Sequence, residues 1–116
     1  MARRSPIDTL LTARIAALDA AAPAALGGEP VAVHQARVAS RRLREVVPIL
    51  ARVTPSADRA GAAVRHVTRA LGPVRELDVT AALYAEWTQA APCHPLAHAA
   101  VGRALARGRA TAMAAM

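Results

Sequence analysis

Residues 33–50, VHQARVASRRLREVVPIL, form the segment that most restricts how this chain can fold. On a helical wheel at about 100° per residue, its apolar side chains fall on one side and its basic side chains on the other. The apolar set is Ala36, Ala39, Leu43, Val46, Val47 and Leu50. The basic set is His34, Arg37, Arg41 and Arg44, with Arg42 off this stripe beside Ile49. The segment therefore predicts an amphipathic helix whose polar side is almost entirely cationic.

The rest of the chain keeps helical spacing and shows no period-two alternation, which predicts an all-α protein without a sheet. Proline and glycine divide it into five predicted helices. These cover about residues 6–23, 31–53, 57–71, 74–90 and 96–112. We expect one domain over residues 1–116, an antiparallel helical bundle of four to five helices.

Individual residues mark the expected boundaries of these helices. Ser5 is the expected N-cap of the first helix, with Pro6 at its first helical position. Pro48 should kink or interrupt the second helix, because proline removes a backbone donor and crowds the preceding turn. Residues 54–56 predict a turn, and Gly72-Pro73 predicts a break between the third and fourth helices.

The composition limits the kind of core these helices can share. Alanine accounts for 32 of the 116 residues, and phenylalanine is absent. Alanine is the strongest helix former and allows helices to approach closely. We therefore expect a core of Leu, Val, Ile and Ala, with marginal stability.

The charge of the chain predicts a polyanionic partner. The net charge is +7, and all 15 basic residues are arginine. The planar guanidinium matches phosphate oxygens and stays charged at biological pH. A GC-rich genome would also favour arginine over lysine, but codon usage does not explain why the arginines cluster.

The clustering is strongest where acidic residues are scarce. Arg37 and Arg41 are four residues apart, an arrangement in which like charges repel, and only Glu45 offsets them. A solvated helix surface is the alternative interpretation. Weaker pairs with the same spacing recur later, and the helices that carry them could line a shared groove. They are Arg65 with Arg69 and Arg103 with Arg107.

Two stretches of the sequence resemble a known family. HQARVASRRLR, residues 34–44, resembles the HxxRVxxRRLR signature of CHAD domains, the conserved histidine α-helical domains. LGPVRELDV, residues 71–79, is similar to the LGxxRDxDV stretch of that family, with Glu76 in place of Asp. The resemblance extends from the first helix to about residue 90, and the last helix carries no recognisable motif.

The resemblance implies an all-helical fold whose basic surface binds inorganic polyphosphate without catalysis. The implied binding positions of the two motifs are His34, Arg37, Arg41, Arg42, Arg44 and Arg75. Asp78 is expected to be the structural partner of an arginine. CHAD domains usually contain two such bundles, whereas this chain has one copy of the His/Arg helix. We therefore expect either a homodimer, in which two of these helices meet at one basic groove, or a fragment.

Other chemistry has little support in the sequence. There is no P-loop, no HExxH and no GxSxG, so we expect no enzyme, no metal and no cofactor. Cys93 is the single cysteine and lies between prolines in PCHP. We see no signal peptide and no transmembrane span, which favours a cytoplasmic location, with polyphosphate granules as a candidate site.

Two alternative functions remain open. Nucleic acid is the first alternative partner, favoured by charge alone. Single-strand binders usually add aromatic side chains for base stacking, and this chain has only Tyr84 and Trp87. The second alternative is a dimerising scaffold that binds no ligand.

Overall fold

The arrangement of four helices determines which side chains face outward. A computed structural model describes residues 5–52 and 57–116. Those residues form α1 (Pro6–Leu26), α2 (Pro30–Ala51), α3 (Ala57–Ala90) and α4 (Pro95–Ala114), and no strand. Helices α1 and α3 each pack against α2, and α4 packs against α3. The predicted all-α helical bundle is confirmed.

The start of α1 follows the sequence prediction. The Ser5 hydroxyl accepts a hydrogen bond from the Asp8 backbone N–H at 3.1 Å, and the Asp8 carboxylate accepts one from the Ser5 N–H at 3.4 Å. These two bonds form a capping box, which satisfies donors that a helix start leaves free. The predicted cap is confirmed.

Proline residues lie inside three helices, and they end fewer helices than the sequence predicted. Helix α1 continues past Pro23 to Leu26, and α2 continues past Pro48 to Ala51. The predicted break at Gly72-Pro73 is wrong, because α3 is one helix of 34 residues. Each of these prolines has a buried residue within two positions, so packing offsets the backbone hydrogen bond that proline cannot make. The predicted turn at residues 54–56 and the predicted helix end at Val53 lie outside the described residues.

Small side chains form the core, as the composition predicted. One cluster joins α1, α2 and α3 and consists of Ala21, Ala25, Ala32, Val33, Ala36, Leu71 and Val74. Ala112, Met113 and Met116 pack against it from the end of α4. The core therefore lies at the end of the bundle where the α1–α2 turn, the middle of α3 and the end of α4 meet.

The molecule is elongated because α3 is long. Its principal extents are 66 × 24 × 21 Å. A helix of 34 residues spans about 51 Å, and the second half of α3 extends beyond α1 and α2 with α4 alongside. The α3–α4 hairpin is therefore exposed over much of its length.

Helix α1 is long and apolar enough to cross a membrane by length and composition alone. Its most apolar 18-residue window has a mean hydropathy of 1.3, and 11% of that window is buried. Among the described residues, no other helix meets this criterion. Core helices of soluble proteins and signal sequences meet it too, so it assigns no location by itself.

Candidate anion-binding site

The outward side of α2 is basic, and its inward side is apolar. Ala36, Ala39, Leu43, Val46 and Val47 are buried, as predicted, and Leu50 is half-buried. His34, Arg41, Arg42 and Arg44 are exposed. Arg37 is half-buried, whereas the other arginines of this helix side are exposed. The two sides of α2 thus separate as the helical wheel predicted.

A groove between α1 and α2 runs along one edge of this basic side. Its volume is about 390 Å³. Arg14 of α1 and His34, Gln35 and Arg42 of α2 provide its polar lining. Small apolar residues form the remaining lining: Ala17, Ala20, Ala21, Val38 and Ala39. Arg42, which the wheel places away from the other arginines, therefore shares a groove with His34.

A smaller groove between α2 and α3 takes up the other flank. It has a volume of about 180 Å³ and is lined by Arg44, Val47, Pro48, Gly61 and Arg65. The helices come close here, since a Cβ built on Gly61 would lie 2.9 Å from Val47 Cγ1. This approach places one arginine of α2 and one of α3 on the same groove.

Arg37 lies beside a buried contact between α2 and α3. The Thr68 hydroxyl donates a hydrogen bond to Ser40 Oγ at 2.9 Å, and the Ser40 hydroxyl donates to the Arg37 carbonyl oxygen at 2.9 Å. Ser40 is fully buried and Thr68 nearly so. The Nε of Arg37 is buried and has no hydrogen-bond partner among the described residues. A buried donor without a partner is costly.

Asp78 has the structural role that the sequence predicted. Its Oδ1 accepts a hydrogen bond from Arg109 Nε at 2.7 Å, and it is the only carboxylate in an ion pair within the described residues. Arg109 also donates from Nη2 to the Gly28 carbonyl oxygen. The hydrogen bond to Asp78 raises the pKa of Arg109. The sequence did not indicate Arg109 as the partner.

This contact ties α4 to the turn between α1 and α2. Gly28 has a φ of +84°, a left-handed conformation that favours glycine. A Cβ at Gly28 would lie 2.9 Å from Met113 Cε and 3.2 Å from Arg109 Nη1, both on α4. The motif around Asp78 therefore holds the end of α4 against the bundle.

The remaining predicted site residues lie on α3 and α4. Arg69 is exposed and Arg75 is half-buried on α3, and Arg103 and Arg107 are exposed on α4. None of these four lines the α1–α2 or the α2–α3 groove. Besides α2 and α3, the helix that contributes an arginine to these grooves is α1, through Arg14. A role for these four residues in binding stays a prediction.

Side chains that could do other chemistry gather at the tip of the α3–α4 hairpin. The Tyr84 hydroxyl lies 3.0 Å from His98 Nδ1 and 3.4 Å from Cys93 Sγ. The hydrogen bond with Cys93 raises the pKa of Tyr84. His94 accepts from the Leu96 N–H at 3.1 Å and caps α4. Among the side chains that the structure describes, no group of three or more His, Cys, Asp or Glu is arranged to hold a metal ion.

Comparison with protein families supports one relationship. The family model described as CHAD domain matches residues 9–116. The match includes α4, for which the sequence alone gave no motif. Searches of curated proteins and of solved structures found no match.

Proposed function

The chain belongs to the CHAD domain family, and from this membership and the basic side of α2 we propose that it binds inorganic polyphosphate without catalysing a reaction. One observation carries the proposal: the exposed basic residues of α2 lie between two grooves, each lined by arginines from two helices. A surface built in this way offers guanidinium groups to several phosphates of one chain.

The chemistry of these side chains suits a condensed phosphate. Guanidinium–phosphate bonds are charge-assisted and often bidentate, and they need no enclosed pocket. Arg41, Arg42 and Arg44 are exposed, and no carboxylate lies within 4.0 Å of them among the described residues. An extended anion would reduce their mutual repulsion along the whole helix side. We therefore expect binding to weaken as salt rises, through counterion release.

Nucleic acid is the alternative ligand, since the same arginines would attract its phosphates. The described aromatic residues, Tyr84 and Trp87, both lie in the second half of α3 and line neither groove. A single strand bound at α2 would find no phenylalanine, tyrosine or tryptophan side chain there for base stacking. This placement favours a ligand that consists of phosphate alone.

Competition at fixed salt tests the proposal. A fluorescent long-chain polyphosphate is bound to the protein and displaced by unlabelled polyphosphate, single-stranded DNA, single-stranded RNA or duplex DNA, at equal phosphate concentration. We expect polyphosphate to compete at least about tenfold better than any nucleic acid, a difference of about 1.4 kcal/mol. Equal competition would instead favour a general binder of polyanions. A scaffold without a ligand would bind none of them.

We also propose that two copies of the chain associate and that the protein acts in the cytoplasm, where polyphosphate granules are the candidate site. Both statements extend the sequence-based expectations.

A further inference from the structure

We propose that Arg14 of α1 is a phosphate-binding residue, and that the α1–α2 groove is a second contact region for the anion besides the α2–α3 groove. The proposal rests on the proposed function, because its ligand is the same condensed phosphate. Arg14 lies outside both sequence motifs, and only the packing of α1 against α2 brings it to the site.

The position of Arg14 is unusual for a surface arginine. It is the only basic residue of α1, which otherwise carries the charges of Asp8 and Asp19. Most of α1 faces solvent, yet Arg14 is half-buried at the groove shared with α2. Asp19, five residues later, lines a different groove. Among the side chains that the structure describes, the sole ion pair is Asp78–Arg109, so none of their carboxylates lies within 4.0 Å of Arg14.

The groove therefore collects positive charge without neutralising it. Arg14 and Arg42 contribute two guanidinium groups, and His34 contributes an imidazole. Like charges near a partly desolvated surface repel more strongly than in bulk water. The alanines of the floor offer no acceptor from their side chains. A phosphate group in the groove would accept hydrogen bonds from both guanidinium groups and remove the repulsion.

The two grooves are offset along α2, which suggests how a linear anion would lie. The α2 residues of the first groove are 34–42, and those of the second are 44–48. Their centres are about eight residues apart, or roughly 12 Å along the helix axis. Arg41 lies between them on the exposed side of α2. A polyphosphate chain would thus cross α2 obliquely, from Arg14 over Arg41 to Arg65.

This path makes affinity depend on ligand length. A chain that reaches both grooves gains from the high effective concentration of its second segment, whereas a short oligophosphate occupies one groove at a time. We expect the wild-type protein to bind long-chain polyphosphate much more tightly, per phosphate, than tripolyphosphate. Loss of one groove should reduce this length dependence.

The test compares three variants with the wild-type protein in titrations with long-chain polyphosphate and with tripolyphosphate. Arg14→Gln removes the charge, and Arg14→Lys keeps the charge but removes the guanidinium fork. Arg59→Gln is the matched control, because Arg59 is exposed on α3, on the side away from Gly61 and Thr68, which contact α2. Circular dichroism and thermal unfolding establish that each variant is folded.

We expect Arg14→Gln to weaken long-chain binding at least about fivefold, Arg14→Lys about twofold, and Arg59→Gln less than twofold. The advantage of long chains over tripolyphosphate should shrink in Arg14→Gln alone. Equal effects of Arg14→Gln and Arg59→Gln, with intact wild-type binding, would overturn this inference and leave the proposed function standing. A wild-type protein that binds no polyphosphate overturns both. If Arg14→Gln does not fold, Arg14→Lys decides, and an unchanged affinity in that variant overturns the inference.

Discussion

Arg41 and Arg44 are exposed guanidinium groups on the basic side of α2, and their removal should reduce affinity without disturbing the core. Each charge-assisted bond to phosphate contributes about 1.5–3 kcal/mol in favourable settings, and less where water competes. We expect the double variant Arg41→Gln/Arg44→Gln to bind polyphosphate at least about tenfold more weakly. The slope of log affinity against log salt should fall by about 1.5. Fluorescence titrations at several salt concentrations measure both.

A control variant that also loses two arginines distinguishes binding at this site from general attraction of the anion to a basic protein. Arg52 and Arg59 are also exposed, and neither lines a groove on α2. Arg52→Gln/Arg59→Gln should lose less than about threefold in affinity, through the long-range field alone. Similar losses in the two double variants would contradict a localised site on α2.

Residues within one helix were predictable from the sequence, and residues brought together by packing were not. The exposure of His34 and Arg41 follows from the period of a single amphipathic segment. The helical wheel did not distinguish the half-buried Arg37 from the exposed arginines of the same helix. Arg14 and Arg109 acquire their positions from contacts with other helices, and neither belongs to a recognisable motif.

At the scale of helices, three of the five predicted segments correspond to α1, α2 and α4, and the other two form the single helix α3. Gly72-Pro73 predicted an end because both residues disfavour the interior of a helix. The structure continues α3 through them, with Leu71 and Val74 buried on either side. Burial of these neighbours lies in tertiary packing, so propensity alone could not predict the continuous helix.

Two glycines of α3 should respond differently to a methyl group. Apart from its chain neighbours and its own helix backbone, a Cβ at Gly72 would have no atom within 4 Å, whereas a Cβ at Gly61 would lie 2.9 Å from Val47 Cγ1. Gly72→Ala should change the free energy of unfolding by less than about 1 kcal/mol, because the lower backbone entropy of alanine in the unfolded chain is offset by the crowding of its Cβ against the ring of Pro73. Gly61→Ala should lower it by about 1–3 kcal/mol through overpacking of α2 against α3. Urea unfolding followed by circular dichroism compares them. An equal loss of stability in both variants would contradict the difference in the space around the two glycines.

The docking of α4 should depend on Asp78. Its side chain is 10% exposed, and Arg109 connects it to the Gly28 carbonyl oxygen. Asp78→Asn weakens the bond to a guanidinium that is itself 31% exposed, so we expect a loss of about 1–2 kcal/mol in the free energy of unfolding. Glu76→Gln, an exposed change on the same helix, should cost less than about 0.5 kcal/mol. Equal stability of the two variants would indicate that the apolar contacts of Met113 are sufficient to hold α4.

At the scale of the whole molecule, the basic and the apolar surfaces lie on opposite sides of α2. A third groove, between α1 and α3, has a volume of about 270 Å³. Its lining is mainly apolar: Leu18, Asp19, Ala22, Ala25, Leu26, Ala36, Val67 and Leu71. Ala36 is on the side of α2 opposite His34 and Arg41. A helical layer normally buries its apolar side against another layer, and this side of α1 and α3 is open in the single chain.

We therefore expect the homodimer to form through this apolar groove. The arginines of the two copies would then lie in a different arrangement from the one expected from the sequence. Pairing here turns the two basic sides outward, whereas the sequence-based expectation placed both α2 helices at one groove. Because each chain carries a net charge of +7, outward basic sides also reduce repulsion between the copies. Leu26 is 67% exposed at the groove, so burying it in a dimer should add about 1 kcal/mol or more per copy.

Sedimentation at micromolar protein distinguishes the two ways of pairing. We expect a dimer in the absence of polyphosphate, and we expect Leu26→Gln to shift it towards monomer. Leu96→Gln is the control, because it replaces another leucine, 77% exposed on α4, and it should leave the dimer unchanged. A dimer that appears only with polyphosphate would instead support pairing at a shared basic groove, since a ligand that bridges two copies must strengthen their association. A monomer under both conditions contradicts dimerisation, and one chain would then provide the whole binding surface from α1, α2 and α3.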